Sequence, residues 1–217
     1  MAETLLFHVS DIHFGLENNE ALDWFAAEVA RMRPDAVAIT GDLTMRARHH
    51  EFRAPGIALV PLKPAVRAQP RLNWSKGWVT GRALEDCLAR IDALPAGTRA
   101  LVTVHHPLRE VGTQGTAMTR GGSNALAELA KRNVLGVLSG HVHDAFEIME
   151  DTPHGPVRMI GAGTLSQRLR STPPSFNELR WDGETLRVHI RNLENIDDEA
   201  MKIDDVPEDA QPPRHEG

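Results

Sequence analysis

Short apolar runs alternate with stretches of helical periodicity along the first two thirds of the chain. Residues 4–10 and 36–40 are apolar runs of strand length, and residues 20–32 between them carry apolar side chains at helical spacing. The step into Pro34 ends that helix, because proline disfavours helical backbone in the residue before it. The pattern predicts a β-α-β unit with parallel strands and a right-handed crossover.

The middle of the chain continues this alternation. A helix is predicted over residues 82–94, with Cys87 as a small core residue on its apolar face. A second helix is predicted to begin with Ser123 as its N-cap and to run to about Arg132. The Gly- and Thr-rich segment 109–122 before it is predicted to be a long loop. Three more strands are predicted in this region, at 57–62, 100–104 and 134–138.

The last third changes character, because strands follow one another without helices between them. Alternating runs predict antiparallel strands at 157–162, 176–181 and 184–191, and Asp182-Gly183 is a strong hairpin signal. We therefore expect one α/β domain over residues 1–195. Residues 196–217 are acidic and poor in large apolar groups, which predicts a disordered or loosely docked tail.

Charge and composition narrow the classes of function. The net charge of −6 comes entirely from the end of the chain. From Asn195 onward there are eight acidic and two basic residues, and in the rest of the chain acidic and basic residues are equal in number. A neutral body gives no support to nucleic-acid binding. No apolar run approaches the roughly 18 residues of a membrane span, so no membrane association is expected. The single Cys87 favours a reducing, cytoplasmic location.

Four predicted strands end directly before residue types that bind metals. Open parallel sheets bring the carboxyl ends of their strands to one edge, so these residues are expected to meet there. Residues two apart in extended backbone point the same way, which applies to the first and the last of the four segments. Gly41 and Gly140 are expected to allow tight turns near an ion. The segments are Asp11-Ile12-His13, Gly41-Asp42, His105-His106 and Gly140-His141-Val142-His143.

The donor types define the chemistry of such a site. Carboxylates and imidazoles without thiolates suit Mn²⁺, Fe or Zn²⁺ better than Ca²⁺ or a structural zinc. Two such ions about 3.5–4 Å apart can activate water at neutral pH and clamp a phosphoryl group. Taken alone, the Asp-x-His and Gly-Asp segments are better explained as turns with a surface histidine, His105-His106 could be a strand end packed on its own, and Gly-His-x-His is moderately specific. All four in this order indicate a two-metal phosphoesterase site.

The ordered motifs resemble the calcineurin-like metallophosphoesterase superfamily. The resemblance rests on residues 9–15, 39–44 and 138–143 and extends from about Leu5 to Leu193. It implies two packed β-sheets flanked by helices, a four-layer αββα arrangement, with two divalent metal ions (Mn, Fe or Zn) at the rim. By motif, the first metal would be held by Asp11, His13 and His143, and the second by His105 and His141, with Asp42 bridging both. His106 would face the substrate, or be a hydrogen-bonded bystander.

The chain departs from the family in one segment. The family places a Gly-Asn-His between its Gly-Asp and His-His motifs, and this sequence contains no Asn-His pair. Residues 43–54 look like the start of a helix, and 55–60 look like a strand from later in the family's order. Fourteen residues from Leu43 to Gly56 cannot hold a helix, a strand and a metal loop. We infer that a β-α segment is absent near 54–55, by natural deletion or by a defect in the recorded sequence.

The gap affects both catalysis and metal binding. The missing Asn implies weaker occupancy of the second metal position. The missing His removes the group that assists the leaving group, which typically costs about 10²–10⁴ in rate. Three residues of the altered region are candidates to replace them, but each is better explained as a solvated or loop residue: His49, His50 and Asn73.

The sequence therefore predicts a metal-dependent phosphoesterase that acts on small phosphodiesters or phosphomonoesters, impaired by the missing segment. A non-catalytic scaffold or metal-binding protein on the same fold is the alternative, favoured by the missing segment and the acidic tail. A nuclease is disfavoured by the neutral body. Fold and metals do not determine the leaving group, and neither substrate identity nor oligomeric state follows from the motifs.

Overall fold

The computed structural model describes residues 3–41, 52–54, 56–63, 77–113 and 119–195. In this part of the chain the helices are α1 (Asn19–Met32), α2 (Gly81–Asp92) and α3 (Gly122–Ala130), and a 3₁₀ turn covers Leu193–Asn195. The strands are β1 (Thr4–Val9), β2 (Ala36–Ile39), β3 (Phe52–Ala54), β4 (Ile57–Pro61), β5 (Arg99–Thr103), β6 (Gly136–Ser139), β7 (Phe146–Glu150), β8 (Val157–Gly161), β9 (Ser175–Trp181) and β10 (Leu186–Asn192).

The strands form two sheets. The first has the order β10-β9-β1-β2, and the second has the order β3-β4-β5-β6-β8-β7. β1 and β2 pair in parallel, with Leu6 opposite Ala36, as the β-α-β pattern predicts. β4, β5, β6 and β8 are also mutually parallel. The parallel strands of each sheet therefore have their carboxyl ends at a common edge.

The two sheets pack face to face, and helices cover their outer faces. The alternation of side chains along β1 shows how this works. Phe7 and Val9 pack with Phe25 of α1, whereas Leu6 points inward with Leu101 of the second sheet. On the far face of the second sheet, buried residues of α2 and α3 join the core of β4, β5 and β6. The predicted four-layer α/β sandwich is confirmed.

The helix ends follow from local chemistry. Asn18 caps α1 by accepting a hydrogen bond from Ala21 N at 3.2 Å, and Arg33 ends it in the left-handed conformation just before Pro34. The prediction of Ser123 as the cap of α3 is wrong, because the cap is Gly121, with φ 79°. A side chain at 121 would lie 2.5 Å from Val79 O, so only glycine fits. Cys87 is buried in the core beneath α2, as predicted.

Three strand predictions need correction. β8 is antiparallel to β7 but parallel to β6, and it lies in a different sheet from β9 and β10. Residues 52–54, interpreted as part of a helix start, form β3, which pairs antiparallel with β4. β7 was not predicted, because the adjacent Ile148 and Met149 break the apolar and polar alternation, although burial alternates along the strand. The β9–β10 hairpin lies where predicted, with Asp182 accepting hydrogen bonds from the N–H groups of Glu184 and Thr185.

The altered segment lies only partly within the described residues. Residue 55 itself lies outside the described residues; β3 and β4, on either side of it, pair antiparallel, and Gly56 has φ 78°. Asp42, His49, His50, Asn73 and the acidic tail 196–217 lie outside the described residues. Across the described ranges, none of the helices has the length and apolar character needed to cross a bilayer.

Candidate metal centre

Four loops leave the two sheets at one edge, where β1, β2, β5 and β6 end. Backbone hydrogen bonds continue past the strand ends and hold these loops together. Thr40 N donates to Val9 O at 3.1 Å in the first sheet, and Gly140 N donates to His105 O at 2.9 Å in the second. The sandwich therefore brings segments that are far apart in sequence to a single edge.

Asp11, His13 and His143 form the first group of potential ligands at this edge. His13 Nε2 lies 3.3 Å from His143 Nε2, and these atoms lie 3.7 and 3.8 Å from Asp11 Oδ1, respectively. A point equidistant from three atoms with these separations is about 2.1 Å from each. Zn–N and Zn–O bonds are about 2.0–2.2 Å long. The three donors therefore fit a first-row divalent ion without rearrangement.

His105, His106 and His141 form the second group, with potential ligand atoms within 4.8 Å of one another. The ring centroids of His105 and His106 are 4.5 Å apart, and those of His106 and His141 are 4.0 Å apart. Sequence reasoning assigned only the first histidine of the His105-His106 pair to a metal. The structure brings the second one into the same group.

Backbone carbonyls orient one histidine in each group. His143 Nδ1 lies 2.7 Å from Arg168 O, and His105 Nδ1 lies 3.1 Å from Thr40 O. A carbonyl oxygen can only accept, so Nδ1 carries the proton in both rings. In the neutral imidazole, Nε2 then presents its lone pair, which is the arrangement that metal-binding histidines require.

Asp11 joins the two groups. Its Oδ2 accepts hydrogen bonds from Ser10 Oγ at 2.5 Å and from His141 N at 2.6 Å. Burial alone would raise the pKa of the Asp11 carboxyl, but its electrostatic interactions with the His105 and His143 side chains and these two hydrogen bonds outweigh burial. The pKa of Asp11 is therefore lowered, and the side chain is a carboxylate at neutral pH.

The backbone is strained at four of the predicted ligands. Asp11, His13, His141 and His143 all have positive φ, between 50° and 69°. The prediction from extended backbone was therefore wrong in its reasoning, because these residues do not alternate like strand residues. It also fails for the last pair, since His141 and His143 belong to different groups. Non-glycine residues in this conformation are uncommon and cluster at functional sites.

Gly41 and Gly140 are needed for close packing rather than for turns. Neither has a positive φ. A Cβ atom at either position would lie 2.6 Å from Asp11 Oδ2 and would also collide with Ser10 Oγ. The two glycines thus let both loops approach the carboxylate from opposite sheets. Substitution of Gly41 or Gly140 by a larger residue is therefore expected to displace Asp11.

A buried polar chain lies beneath the second group. His8, which lies within the first predicted strand, is fully buried, and its Nε2 lies 2.9 Å from Thr40 Oγ1. Its Nδ1 lies 3.2 Å from Asn177 Nδ2, which also donates to Gly161 O at 3.0 Å. The amide nitrogen Nδ2 can only donate, so His8 Nδ1 accepts and its Nε2–H donates to Thr40. The chain joins β1, β8 and β9 to the residue whose carbonyl orients His105.

Sequence reasoning missed the loop after β8, which supports the first group. Thr164 Oγ1 donates to Asp11 O at 2.6 Å, and Arg168 O orients His143. Asp144 is buried and accepts hydrogen bonds from Ser171 N at 2.8 Å and Thr172 N at 3.2 Å. The segment follows the carboxyl end of a parallel strand, so the argument used for the other four loops would have found it.

Comparison with known proteins supports the fold. No protein-family model matches the chain, and no curated protein matches it. Among solved structures, GAP50, "the anchor in the inner membrane complex of Plasmodium", matches with a TM-score of 0.52 at 11% identity, over 88% of this chain and 89% of that one. A single mutant of Vps29 from Entamoeba histolytica matches with a TM-score of 0.35 at 11% identity, over 88% and 99%. At this identity, the GAP50 match indicates a shared fold and nothing about activity.

Proposed function

We propose that this protein is a metal-dependent phosphoesterase of the calcineurin-like superfamily, with a dinuclear centre at the shared sheet edge. The observation that carries the proposal is the pair of adjacent donor groups, linked by the hydrogen bond from His141 N to Asp11. A single structural metal would need only one of these groups. The substrate is a small phosphodiester or phosphomonoester.

Asp11, His13 and His143 would hold the first ion, and His105 and His141 the second. Asp42, outside the described residues, keeps its proposed bridging role from the motif. The pKa of Asp11 is lowered, so its carboxylate needs no deprotonation to bind. The carbonyls of Thr40 and Arg168 hold His105 and His143 in the tautomer that binds. Ions of this class polarise phosphoryl oxygens and lower the pKa of water.

His106 is proposed as a further donor of the second group. The family's asparagine ligand has no counterpart in this sequence, and the His106 ring lies 4.0 Å from that of His141. An imidazole at this position can compensate for the missing amide ligand. The alternative role for His106 is proton transfer to the leaving group. A His106→Gln variant separates these roles. If the variant binds less metal but its activity keeps the wild-type pH dependence, His106 is a ligand.

The test of the main proposal is hydrolysis of bis-p-nitrophenyl phosphate with Mn²⁺, together with metal counting by elemental analysis. We expect two ions per chain and activity that falls at least 100-fold in His143→Ala. His154→Ala is the control, because His154 is exposed on the β7–β8 turn and belongs to neither group. Unchanged activity in His143→Ala, or in Asp42→Ala, would remove that residue from the mechanism.

A metal-binding scaffold is the second candidate function. It is favoured by the absence of any Asn-His pair, which leaves no residue matched to the family's leaving-group histidine. The two candidates differ in one measurement. Two bound ions without hydrolysis of any phosphoester in a panel of monoesters and diesters would favour the scaffold, whereas metal-dependent turnover would favour the enzyme.

A further inference from the structure

Three large apolar side chains are exposed on the loops beside the first donor group. Phe14, directly after His13, is 61% exposed, Leu16 is 44% exposed, and Leu169, directly after Arg168, is 45% exposed. Exposed apolar residues are common singly, but a group of them beside a polar site marks a binding surface. These three residues are named here the apolar rim.

The backbone that carries the apolar rim is held firmly. Gln167 N donates to Leu16 O at 2.8 Å, and Asn18 N donates to Leu165 O at 3.0 Å, so the two loops pair with each other. The second loop is also attached to the donor group through His143 and Arg168 O. Fixed loops that leave apolar side chains in water suit a preformed site, because little ordering is required when a ligand binds.

The second of these loops carries two positive charges, whereas the first carries one acid, Glu17, whose carboxylate accepts a hydrogen bond from Gly15 N. Arg168 and Arg170 flank Leu169, and both are exposed. Neither forms an ion pair with an acid in the part of the chain that the structure describes. Guanidinium groups bind phosphate oxygens strongly. Cationic and apolar groups side by side are complementary to a molecule that is both anionic and apolar.

We propose that the apolar rim binds the ester group of the substrate that is not cleaved, beside phosphate oxygens that Arg168 and Arg170 attract, so that the enzyme prefers phosphodiesters carrying an aromatic or other bulky apolar group. This inference rests on the proposed function and adds the substrate class. The metal centre takes the phosphoryl group, and the rim takes the ester group that is not cleaved. Phe14 directly follows His13, and the carbonyl of Arg168, directly before Leu169, contacts His143, so both rim loops are attached to the first donor group.

The preference can be sized from area. A bound phenyl ring buries up to about 150 Å² of surface, and covering half of it at about 25 cal/mol per Å² corresponds to at least tenfold in affinity. We therefore expect kcat/KM for phenyl p-nitrophenyl phosphate to exceed that for methyl p-nitrophenyl phosphate by about tenfold or more. Both esters release p-nitrophenol, so the ratio reports on the retained ester group.

The test compares this ratio in three proteins loaded with Mn²⁺. In the double variant Phe14→Ser/Leu169→Ser, the ratio should fall to within about twofold of one. In Met149→Ser it should stay at the wild-type value, because Met149 is 59% exposed but lies on the edge strand β7. A wild-type ratio near one, or a ratio unchanged in the double variant, would overturn the proposal.

If neither ester is cleaved, that result counts against the proposed function but not against the rim. Direct measurement of ligand binding then tests the rim by itself. Calorimetry with phenylphosphonate and methylphosphonate should show about tenfold tighter binding of the phenyl compound, lost in the double variant. Equal or undetectable affinity for the two compounds would overturn the proposal. Two further results would overturn the proposal if both phosphonate affinities stayed unchanged in the double variant. One is conversion of a dimer to a monomer, and the other is loss of binding to anionic phosphatidylserine vesicles.

Discussion

His8 should make the protein sensitive to mild acid. Its imidazole is fully buried between the sheets, and burial lowers its pKa from 6.5 to about 3, against a smaller opposing effect of the Asp11 charge. In the folded protein the ring therefore stays neutral, whereas in the unfolded chain it binds a proton near pH 6.5. Stability from this group is complete above pH 6.5 and is lost as the pH falls toward 3.

The size of the effect follows from the two pKa values. Each unit of difference is worth about 1.4 kcal/mol, so the whole window accounts for about 5 kcal/mol. Between pH 7 and pH 5, protonation of the unfolded state alone should lower the free energy of unfolding by about 2 kcal/mol. With a urea dependence of about 2 kcal/mol per M, the midpoint moves by about 1 M.

Urea unfolding at pH 7, 6 and 5 would measure this, with a chelator present so that metal release does not contribute. The His8→Gln variant should be less stable at pH 7, because its fit to Thr40 and Asn177 is poorer. Its stability should nevertheless fall about 2 kcal/mol less than that of the wild type between pH 7 and pH 5. His154→Gln, at an exposed position, should follow the wild type. Parallel pH dependences for His8→Gln and the wild type would refute the assignment.

Three further outcomes are expected. Gly140→Ala should weaken Mn²⁺ binding at the first donor group at least tenfold and destabilise the fold by about 1–3 kcal/mol, because the new Cβ displaces Asp11. Gly81→Ala is the control, because an added Cβ there has nothing within 4 Å. Equal Mn²⁺ affinities of the two variants in calorimetric titration would contradict this role of Gly140. Asp144→Ala should cost about 10–100-fold in metal affinity at the first group, by releasing the loop that orients His143; spectroscopic titration with Co²⁺ would detect it. Cys87, buried and with its pKa raised to about 12, should react with a thiol reagent at pH 8 only after unfolding, and fast labelling of the folded protein would contradict its core position.

Several features were available in the sequence because they depend on neighbours along the chain. The apolar runs located eight of the ten described strands to within two residues, and the helical spacing located α1 and α2. Local signals also predicted the end of α1 before Pro34 and the β9–β10 hairpin. The cap of α3 was predicted wrongly, since the choice of Gly121 depends on the approach of Val79 from another segment.

The residues of the candidate site were also named from sequence, because each follows a strand, and parallel strands end at a common edge. Which of these residues share a donor group was harder to predict from sequence. His106 joins His105 and His141 through the geometry of the loop after β5, and His141 and His143 belong to different groups although they are only two residues apart. The supporting residues Ser10, Thr164 and Arg168 have ordinary local sequences, and only their contacts with Asp11 and His143 give them a role.

The sequence by itself determined which residue types stand at the strand ends, and so the chemistry that this edge can support. Tertiary structure decided which of them share an ion-sized space and which carbonyl holds each imidazole. It also decided how far Gly41 and Gly140 let the two sheets close on Asp11. The physical reason is one of range. Hydrophobic periodicity and capping act over a few neighbouring residues, whereas a metal site requires donor atoms from loops more than a hundred residues apart in sequence to be placed within a fraction of an ångström.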